Sequence, residues 1–297
     1  MSLKKWLSNN TASLKDKTVA ITGSTGDLGK ALCKYLAALG ASLILIDRNA
    51  ERSGAHRAAL LKSFPAISVE CVGADLSDME SVKRAANALC TRRIHVFIHN
   101  AGAYAIPRRK CDTGLDNVFQ INFLSPYYLI RRLLPCLRTR KGRVVVVSSI
   151  AHDYARSDPS DVDFSTRKRA SLVYGNAKRY LTFALAELFR KEEDVTLSLT
   201  HPGICFTGIT SHYPKPIFAL IKYPMKLIFM KPKKACLSTL CGVFCSTGDR
   251  CWLEPRFFGI WGTPRLHLLQ TADAEERARI AQTAEMLYDA LEDTTHA

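Results

Sequence analysis

Tyr174 and Lys178 are the residues whose types and spacing most directly suggest chemistry. Side chains four residues apart lie on the same face of a helix, so the phenol and the ammonium are expected to be neighbours. A free tyrosine has a pKa of about 10, and a nearby positive charge lowers that pKa by favouring the phenolate. Such a pair can take a proton from an alcohol or return one to a ketone. In a chain with ten tyrosines, the spacing by itself is more often coincidental.

Ser149 and Asn122 are two further polar candidates. Ser149 follows Ser148 at the end of a predicted strand, where its hydroxyl can bond to a substrate oxygen and stabilise developing charge, or can simply cap a turn. Asn122 interrupts a stretch with helical periodicity, where asparagine is not a favoured residue. A buried amide needs a hydrogen-bond partner, so Asn122 predicts a polar network or a local kink.

A glycine-rich turn follows the first predicted strand and precedes a helical stretch. Glycine suits a turn with positive φ and lets the backbone approach a pyrophosphate, which the free N–H groups at a helix start can bind. Three spaced glycines are weak evidence alone, but their place after the first strand favours nucleotide binding. The candidate residues of this turn are Gly23, Ser24, Thr25, Gly26, Asp27, Leu28 and Gly29.

Asp47 ends the second predicted strand and bears on which nucleotide would bind. A carboxylate there can accept hydrogen bonds from the adenosine ribose and repel a 2′-phosphate, although an aspartate that caps the next helix is a competing interpretation. Arg48 favours the other option, because a guanidinium can hold a 2′-phosphate. Since Asp27 adds negative charge near the turn, the sequence favours NAD over NADP as cofactor.

Short apolar segments alternate with helical stretches from residue 18 onward, which predicts repeated β-α units. Their continuous apolarity indicates strands covered on both faces, so we expect an α/β, doubly wound Rossmann-type parallel sheet with helices on both faces. Ligands are expected beyond the carboxyl ends of the strands. The predicted strands are 18–22, 42–46, 67–72, 94–98, 144–147 and 195–199, and the predicted helices include 28–39, 79–89, 118–137 and 174–189.

The composition excludes several classes of protein. With 297 residues, 47% of them hydrophobic and 23% charged, the chain is neither disordered nor of low complexity. No run of about 18 apolar residues predicts a spanning helix, and the N-terminus lacks the apolar core of a secretion signal. The ten cysteines are typical of free thiols in a reducing, cytoplasmic setting, and their spacing matches no common zinc site, so no metal is expected.

Together these elements resemble the short-chain dehydrogenase/reductase superfamily, in that family's order, over residues 17–210. The resemblance rests on TGSTGDLG, Asp47, Asp75-Leu76, HNAG, Asn122, Ser148-Ser149, YGNAK and HPGICFT. It implies a sheet of about seven strands in a single domain. It also implies that Tyr174 is the general acid/base and that Lys178 binds the nicotinamide ribose. Ser149 would orient the substrate oxygen, and Asn122 would support a proton relay.

The resemblance also assigns the remaining cofactor contacts. Asp75 and Leu76 would bind near the adenine. The small residues that follow the strand 94–98 would line the cofactor cleft, and those after the strand 195–199 would hold the nicotinamide end. The two sets are Asn100, Ala101 and Gly102, and Pro202, Gly203, Ile204 and Thr207.

Two local motifs relate the chain to different branches of the superfamily. SSIAHDY and LTHPG resemble the retinol dehydrogenase-like branch, which implies a lipophilic alcohol or ketone such as a retinoid or steroid. Gly26 and Asp27 instead give the GxxGxxG spacing of the extended, sugar-nucleotide-modifying branch. A sugar-nucleotide epimerase or dehydratase therefore remains an alternative, as does a catalytically silent dinucleotide sensor or scaffold.

The expected organisation is an N-terminal arm at 1–16 and one catalytic domain at 17–297, with a variable substrate lid at 209–250 and a C-terminal helix at 272–293. Segment 212–234 combines apolar residues with lysines, so it could wall an apolar pocket, contact an anionic bilayer, or be a lid with solvated lysines. The net charge of +15 makes anionic partners worth considering, but no nucleic-acid recognition module is identifiable. The resemblance suggests a homodimer through the helices at 118–137 and 174–189.

Overall fold

The computed structural model describes residues 3–204, 230–269 and 271–293. Within them, eight strands form one sheet in the order β3-β2-β1-β4-β5-β6-β7-β8. Strands β1 to β7 pair in parallel, and β8 is antiparallel to β7. The strands are Thr18–Thr22, Ser42–Asp47, Val69–Gly73, Val96–His99, Arg143–Val147, Thr196–Thr200, Cys251–Phe257 and Trp261–Leu268. The predicted Rossmann-type fold is confirmed, and each predicted strand lies within two residues of an observed one.

The helices cover both faces of this sheet. Helix α3 was not predicted, because two of its three buried residues, Ser53 and His56, are polar and hide the apolar periodicity. The helices are α1 Leu3–Asn10, α2 Asp27–Ala38, α3 Ala50–Ser63, α4 Met79–Cys90, α5 Asn117–Phe119, α6 Ser125–Arg138, α7 Ala170–Phe189, α8 Pro232–Ala235, α9 Leu237–Phe244 and α10 Ala274–Asp293. A π-helical turn, Gln120–Leu124, joins α5 to α6, and a short 3₁₀ helix, Ile150–Asp153, follows β5.

The topology creates a crevice at the carboxyl ends of β1 and β4. Strand β2 pairs with one edge of β1 and β4 pairs with the other, so the direction in which the sheet grows reverses at β1. In open α/β sheets, ligands bind at such a reversal because the connections on its two sides diverge. The glycine-rich turn follows β1, and Asn100 follows β4. The predicted cofactor residues therefore meet at this crevice.

Two expectations about chain organisation are corrected. The N-terminal arm contains α1, whose Trp6 is buried in the hydrophobic core against the α2 side of the sheet. The last part of the predicted lid contains α9, which lies in the core. A Cβ on Gly242 of α9 would lie 3.0 Å from both Thr200 Cγ2 and Val145 Cγ1, so this helix lies directly on β5 and β6. Residues 205–229, which include half of the predicted lid and most of segment 212–234, lie outside the described residues.

The C-terminal helix α10 packs on the two helices that were expected to form a dimer. Arg179 of α7 forms a fully buried ion pair with Glu276 of α10, with Nη2 and Oε2 2.6 Å apart. On α6, the Tyr128 hydroxyl and the Arg132 guanidinium both donate to Glu292 at 2.6 Å. Since α10 of the same chain covers these parts of α6 and α7, a second copy could pair there only by displacing it.

The described residues were compared with the requirements of a membrane-spanning helix and of a metal site. Within those ranges, no helix has the length and apolar character needed to cross a bilayer. Among the same residues, no group of three or more His, Cys, Asp or Glu side chains is arranged to hold a metal ion.

Candidate active site

Helix α7 places Tyr174 and Lys178 one turn apart beside the carboxyl end of β5. The Tyr174 ring makes an edge contact with Tyr104, with centroids 5.3 Å apart. Burial raises the pKa of Tyr174 to about 12, while a hydrogen bond from the Ser149 hydroxyl acts in the opposite direction. Ser149 follows β5 by two residues and caps the 3₁₀ helix by accepting from Ala151 N at 3.2 Å. The serine and the tyrosine therefore lie within hydrogen-bonding reach of each other.

Lys178 is a buried ammonium with a backbone partner. Its Nζ donates to the Val147 carbonyl at 3.0 Å and lies 5.8 Å from the centroid of the Tyr174 ring. Burial lowers the pKa of Lys178 from 10.5 to about 7. For Tyr174 the effect of burial on the pKa exceeds that of the Ser149 hydrogen bond, so the net shift is upward. The lysine is poised between its charged and neutral forms near neutral pH.

Asn122 lies in the π-helical turn and is fully buried. Its Nδ2 donates to the carbonyls of Val118 and Ala103, both at 2.8 Å, and its Oδ1 accepts from Ala103 N at 3.1 Å. The sequence offered a polar network or a kink as explanations for this asparagine, and the structure contains both. A π-turn inside a helix often marks a functional position.

Gly102 shows how closely the site residues converge. A Cβ at this position would lie 2.9 Å from Asn122 Oδ1 and 3.7 Å from Lys178 Nζ. The loop after β4 therefore touches the π-turn on one side and α7 on the other. Asn100, two residues earlier, donates through Nδ2 to the carbonyls of Thr22 and Gly23 at 3.1 and 3.0 Å, which ties the same loop to the glycine-rich turn.

The glycine-rich turn has the geometry of an anion-binding loop. Gly23 has a φ of +68°, and a Cβ there would lie 2.9 Å from Ala101 Cα. A Cβ on Gly29 would collide with the Gly23 carbonyl, so only glycine lets α2 pack this close to the turn. Helix α2 begins at Asp27 with no side-chain cap, and its first N–H groups have no partner within the helix. These features fit a dinucleotide pyrophosphate.

Asp47 is buried, and both of its carboxylate oxygens are already engaged. Oδ2 accepts from Ser24 Oγ at 2.5 Å and from Ser53 Oγ at 3.1 Å, while Oδ1 accepts from Thr25 N and Thr25 Oγ1, both at 3.1 Å. Asp47 therefore fixes the glycine-rich turn to α3. The ribose contact predicted from sequence would have to compete with these four bonds for the two carboxylate oxygens.

Two arginines lie beside this buried carboxylate. Arg48 is exposed at the end of β2, and Arg52 donates through Nη2 to the Thr25 carbonyl at 3.3 Å from the first turn of α3. The sequence singled out Arg48 but not Arg52. Only the α3 helix, which was not predicted, brings Arg52 back to the turn.

The other predicted contacts are distributed as follows. Asp75 Oδ1 accepts from Ser77 N and Oγ at 2.9 and 2.8 Å, so it stabilises its own loop beside the crevice. The Leu76 side chain is part of the core, so only its backbone is available there. Gly203 follows β6 with a φ of +78°, and Pro202 and Ile204 flank it. Thr207 lies outside the described residues.

Sequence reasoning missed the residues that surround the tyrosine. Tyr104 and Tyr154 lie near the tyrosine itself, and His152 lies beside its partner serine, with Nδ1 2.6 Å from the Ser149 carbonyl. Their positions depend on the loop after β4 and on the 3₁₀ helix, and neither has a periodicity that could have revealed them.

A family model described as short chain dehydrogenase matches residues 17–215. The chain belongs to the short-chain dehydrogenase family. It is 30% identical over 250 residues to Dehydrogenase/reductase SDR family member FEY of Arabidopsis thaliana, covering 77% of this chain and 64% of that protein. It is 28% identical over 208 residues to polyprenol dehydrogenase of Homo sapiens, covering 66% and 63%. The chain thus spans just under two thirds of the length of these two relatives.

Solved structures share the fold. An uncharacterized protein from Mycobacterium paratuberculosis superposes with a TM-score of 0.75 at 26% identity, covering 95% of this chain and 96% of that one. A short-chain dehydrogenase from Sphingobium yanoikuyae, solved with NADPH, gives a TM-score of 0.60 at 21% identity, covering 76% and 83%. The likeness to the second structure concerns the fold alone.

Proposed function

We propose that this short-chain dehydrogenase interconverts an alcohol and its ketone or aldehyde with NAD(P), on a lipophilic substrate. One observation carries the proposal: Ser149, Tyr174, Lys178 and Asn122 converge at the carboxyl end of β5 around Gly102. This arrangement puts a proton-carrying phenol, a hydroxyl donor and an ammonium next to the crevice that the topology provides for a nucleotide.

The roles of the residues follow from their contacts. The bound dinucleotide supplies or accepts the hydride. The Ser149 hydroxyl, within hydrogen-bonding reach of the phenol, orients an oxygen placed between the two side chains. Tyr174 holds the proton that this oxygen gains or loses. Lys178 donates to the Val147 carbonyl and Asn122 donates to the Ala103 carbonyl, so these two polar side chains are held in fixed orientations near the proton carrier.

The surroundings of Tyr174 support a lipophilic substrate. Tyr174 packs on a small apolar cluster with Val118, Phe164 and Val173 at its centre. The Tyr104 ring adds an apolar face at the same side. A site that is mostly apolar with a few convergent polar groups suits a ligand with one reactive oxygen on a hydrocarbon body. The human relative named polyprenol dehydrogenase agrees with this choice.

The contacts of the adenosine end support NADP over NAD, contrary to the sequence-based preference. The carboxylate of Asp47 is buried and already accepts four hydrogen bonds, so a ribose hydroxyl would have to compete with protein donors for it. Arg48 and Arg52 are exposed beside it. Guanidinium groups at this position favour a phosphate ester.

The decisive experiment measures turnover of long-chain and cyclic alcohols and ketones with each cofactor, for the wild type and for Tyr174→Phe. We expect turnover in the wild type and a loss of about 10² to 10⁴-fold in kcat for the variant, with cofactor affinity retained. Cofactor binding without any turnover that depends on Tyr174 would instead favour the silent sensor. Binding of nucleotide sugars in preference to these substrates would favour an epimerase or dehydratase.

A further inference from the structure

The hairpin formed by β7 and β8 carries most of the exposed apolar side chains of the described residues. Five of the seven large hydrophobic residues exposed there lie in this hairpin. Phe257, Phe258 and Trp261 form its tip and are 57%, 86% and 38% exposed, while Leu266 and Leu268 are exposed further along β8. A cluster of exposed aromatic side chains at one tip indicates an interaction surface.

Phe258 is unfavourable in its place for two independent reasons. Its side chain is almost fully solvated, and its backbone has a φ of +54°, in the left-handed region that favours glycine. Glycine follows at once in Gly259, also with positive φ, so the turn type itself does not require a phenylalanine. Backbone strain that displays an apolar ring to solvent suggests a role outside the fold.

Basic residues accompany this tip. Arg256 is exposed within the hairpin. The acidic residue of the hairpin, Glu254, is buried, and its Oε1 lies 2.9 Å from Arg265 Nη2. A Cβ on Gly203 would lie 2.6 Å from both the Ile260 carbonyl and Met230 Cε, so Met230 lies close to the tip. The exposed Lys231 follows Met230 in the chain. The chain as a whole carries +15.

The tip also lies beside the candidate active site. A Cβ on Gly259 would lie 3.9 Å from Ile150 Cγ2, and Ile150 directly follows Ser149. An object bound to the tip would therefore be next to the end of β5, where Ser149 and Tyr174 meet.

We propose that the tip of the β7–β8 hairpin is a peripheral docking element for an anionic lipid bilayer. Aromatic rings enter the interfacial region, and nearby Lys and Arg side chains bind anionic headgroups. The charge argues against a second copy of this chain as the occupant, because two molecules of +15 repel each other, whereas an anionic surface attracts each of them. Pro264 removes a backbone donor from the edge strand β8, which also disfavours strand pairing between copies.

The first test is co-sedimentation of the full chain with vesicles of phosphatidylcholine alone and with phosphatidylglycerol added. We expect binding to the anionic vesicles, and a decrease of about tenfold or more in the partition coefficient for Phe258→Gly. Since glycine relieves the positive φ, this variant should be at least as stable as the wild type, so its loss of binding cannot be ascribed to unfolding. The control is Met286→Ala, because Met286 is 65% exposed on α10, away from the hairpin.

The second test uses tryptophan fluorescence. Trp6 and Trp252 are buried, so of the three tryptophans Trp261 is the one that can report insertion. Brominated acyl chains should quench it in anionic vesicles, and Trp261→Phe should keep vesicle binding while losing the quenched signal. Absence of wild-type binding, equal binding by Phe258→Gly, or binding without quenching would each overturn the proposal. A change in oligomeric state for Phe258→Gly on size-exclusion chromatography would identify the tip as an interface between copies instead.

Discussion

Asp47 and Lys178 are both buried charged residues at the edge of the same crevice, but the protein treats them differently. Asp47 accepts four hydrogen bonds from three residues, whereas Lys178 donates one, to Val147. A buried charge with all its partners stabilises the structure around it, and one with few partners is a cost that a site keeps for its chemistry. The comparison separates a residue that fixes the structure of the crevice from one for which we propose a role in its chemistry.

The largest expected effect is on catalysis by Lys178→Met. Because methionine fills a similar volume without a buried charge, the free energy of unfolding should not fall, while kcat should fall by about 100-fold or more. Thermal unfolding and steady-state kinetics of the same preparation measure both quantities. A variant that unfolds more easily than the wild type would show that Lys178 has the same structural role as Asp47.

Asp47→Ala, unlike Lys178→Met, should lower the stability of the fold. Removing the carboxylate leaves the buried hydroxyls of Ser24 and Ser53 and the Thr25 N–H without an acceptor, so we expect a loss of about 3 kcal/mol in the free energy of unfolding. Urea denaturation measures it. Asp27→Ala, in the same turn but exposed, is the matched control and should change stability little. Equal stability of the two variants would contradict the structural role of Asp47.

A smaller effect concerns the pH dependence of stability. The pKa of Lys178 is about 7 in the folded protein and near 10.5 when unfolded, so between these values the unfolded chain binds one more proton. Stability contributed by this residue must therefore rise as the pH increases from about 7. The wild type should therefore gain unfolding free energy relative to Lys178→Met between pH 7 and pH 9.5, so any stability advantage of the variant at neutral pH should shrink. Lys191→Met, at an exposed lysine, should show no such trend.

The smallest expected effect is at Gly102, which lies between Asn122 of the π-turn and Lys178 of α7. Gly102→Ala places a Cβ 2.9 Å from Asn122 Oδ1, so the amide must shift and kcat should fall by roughly tenfold with little loss of stability. Gly54→Ala is the control, because nothing lies within 4 Å of a Cβ there and its position inside α3 favours alanine. That control should gain about 0.5–1 kcal/mol of stability and keep full activity.

Much of the site was predictable because its signals are local. The spacing of Tyr174 and Lys178 specifies one helix face, and the glycines of the first turn specify a tight approach of backbone to backbone, so both were correctly placed from their neighbours in the chain. Asn122 was correctly expected to need partners, although nothing local could identify Ala103 as one of them.

Other features depend on distant packing. The position of Asp47 at a strand end is visible in the sequence, but its partner Ser53 lies on α3, whose buried residues are mostly polar. Helix α9 falls within the range 209–250 that the sequence assigned to a lid, and only its contact with β5 and β6 shows that it packs on the sheet.

The sequence by itself determined the first six strands, the glycine-rich turn, and the tyrosine and lysine on one helix face, because hydrophobic periodicity and backbone sterics act between near neighbours. Tertiary structure alone decided which charges are satisfied, that α10 covers α6 and α7, and that three aromatic side chains project from the β7–β8 tip. Hydrogen bonding and burial depend on which distant segments meet, and that information is not contained in any one stretch of the chain.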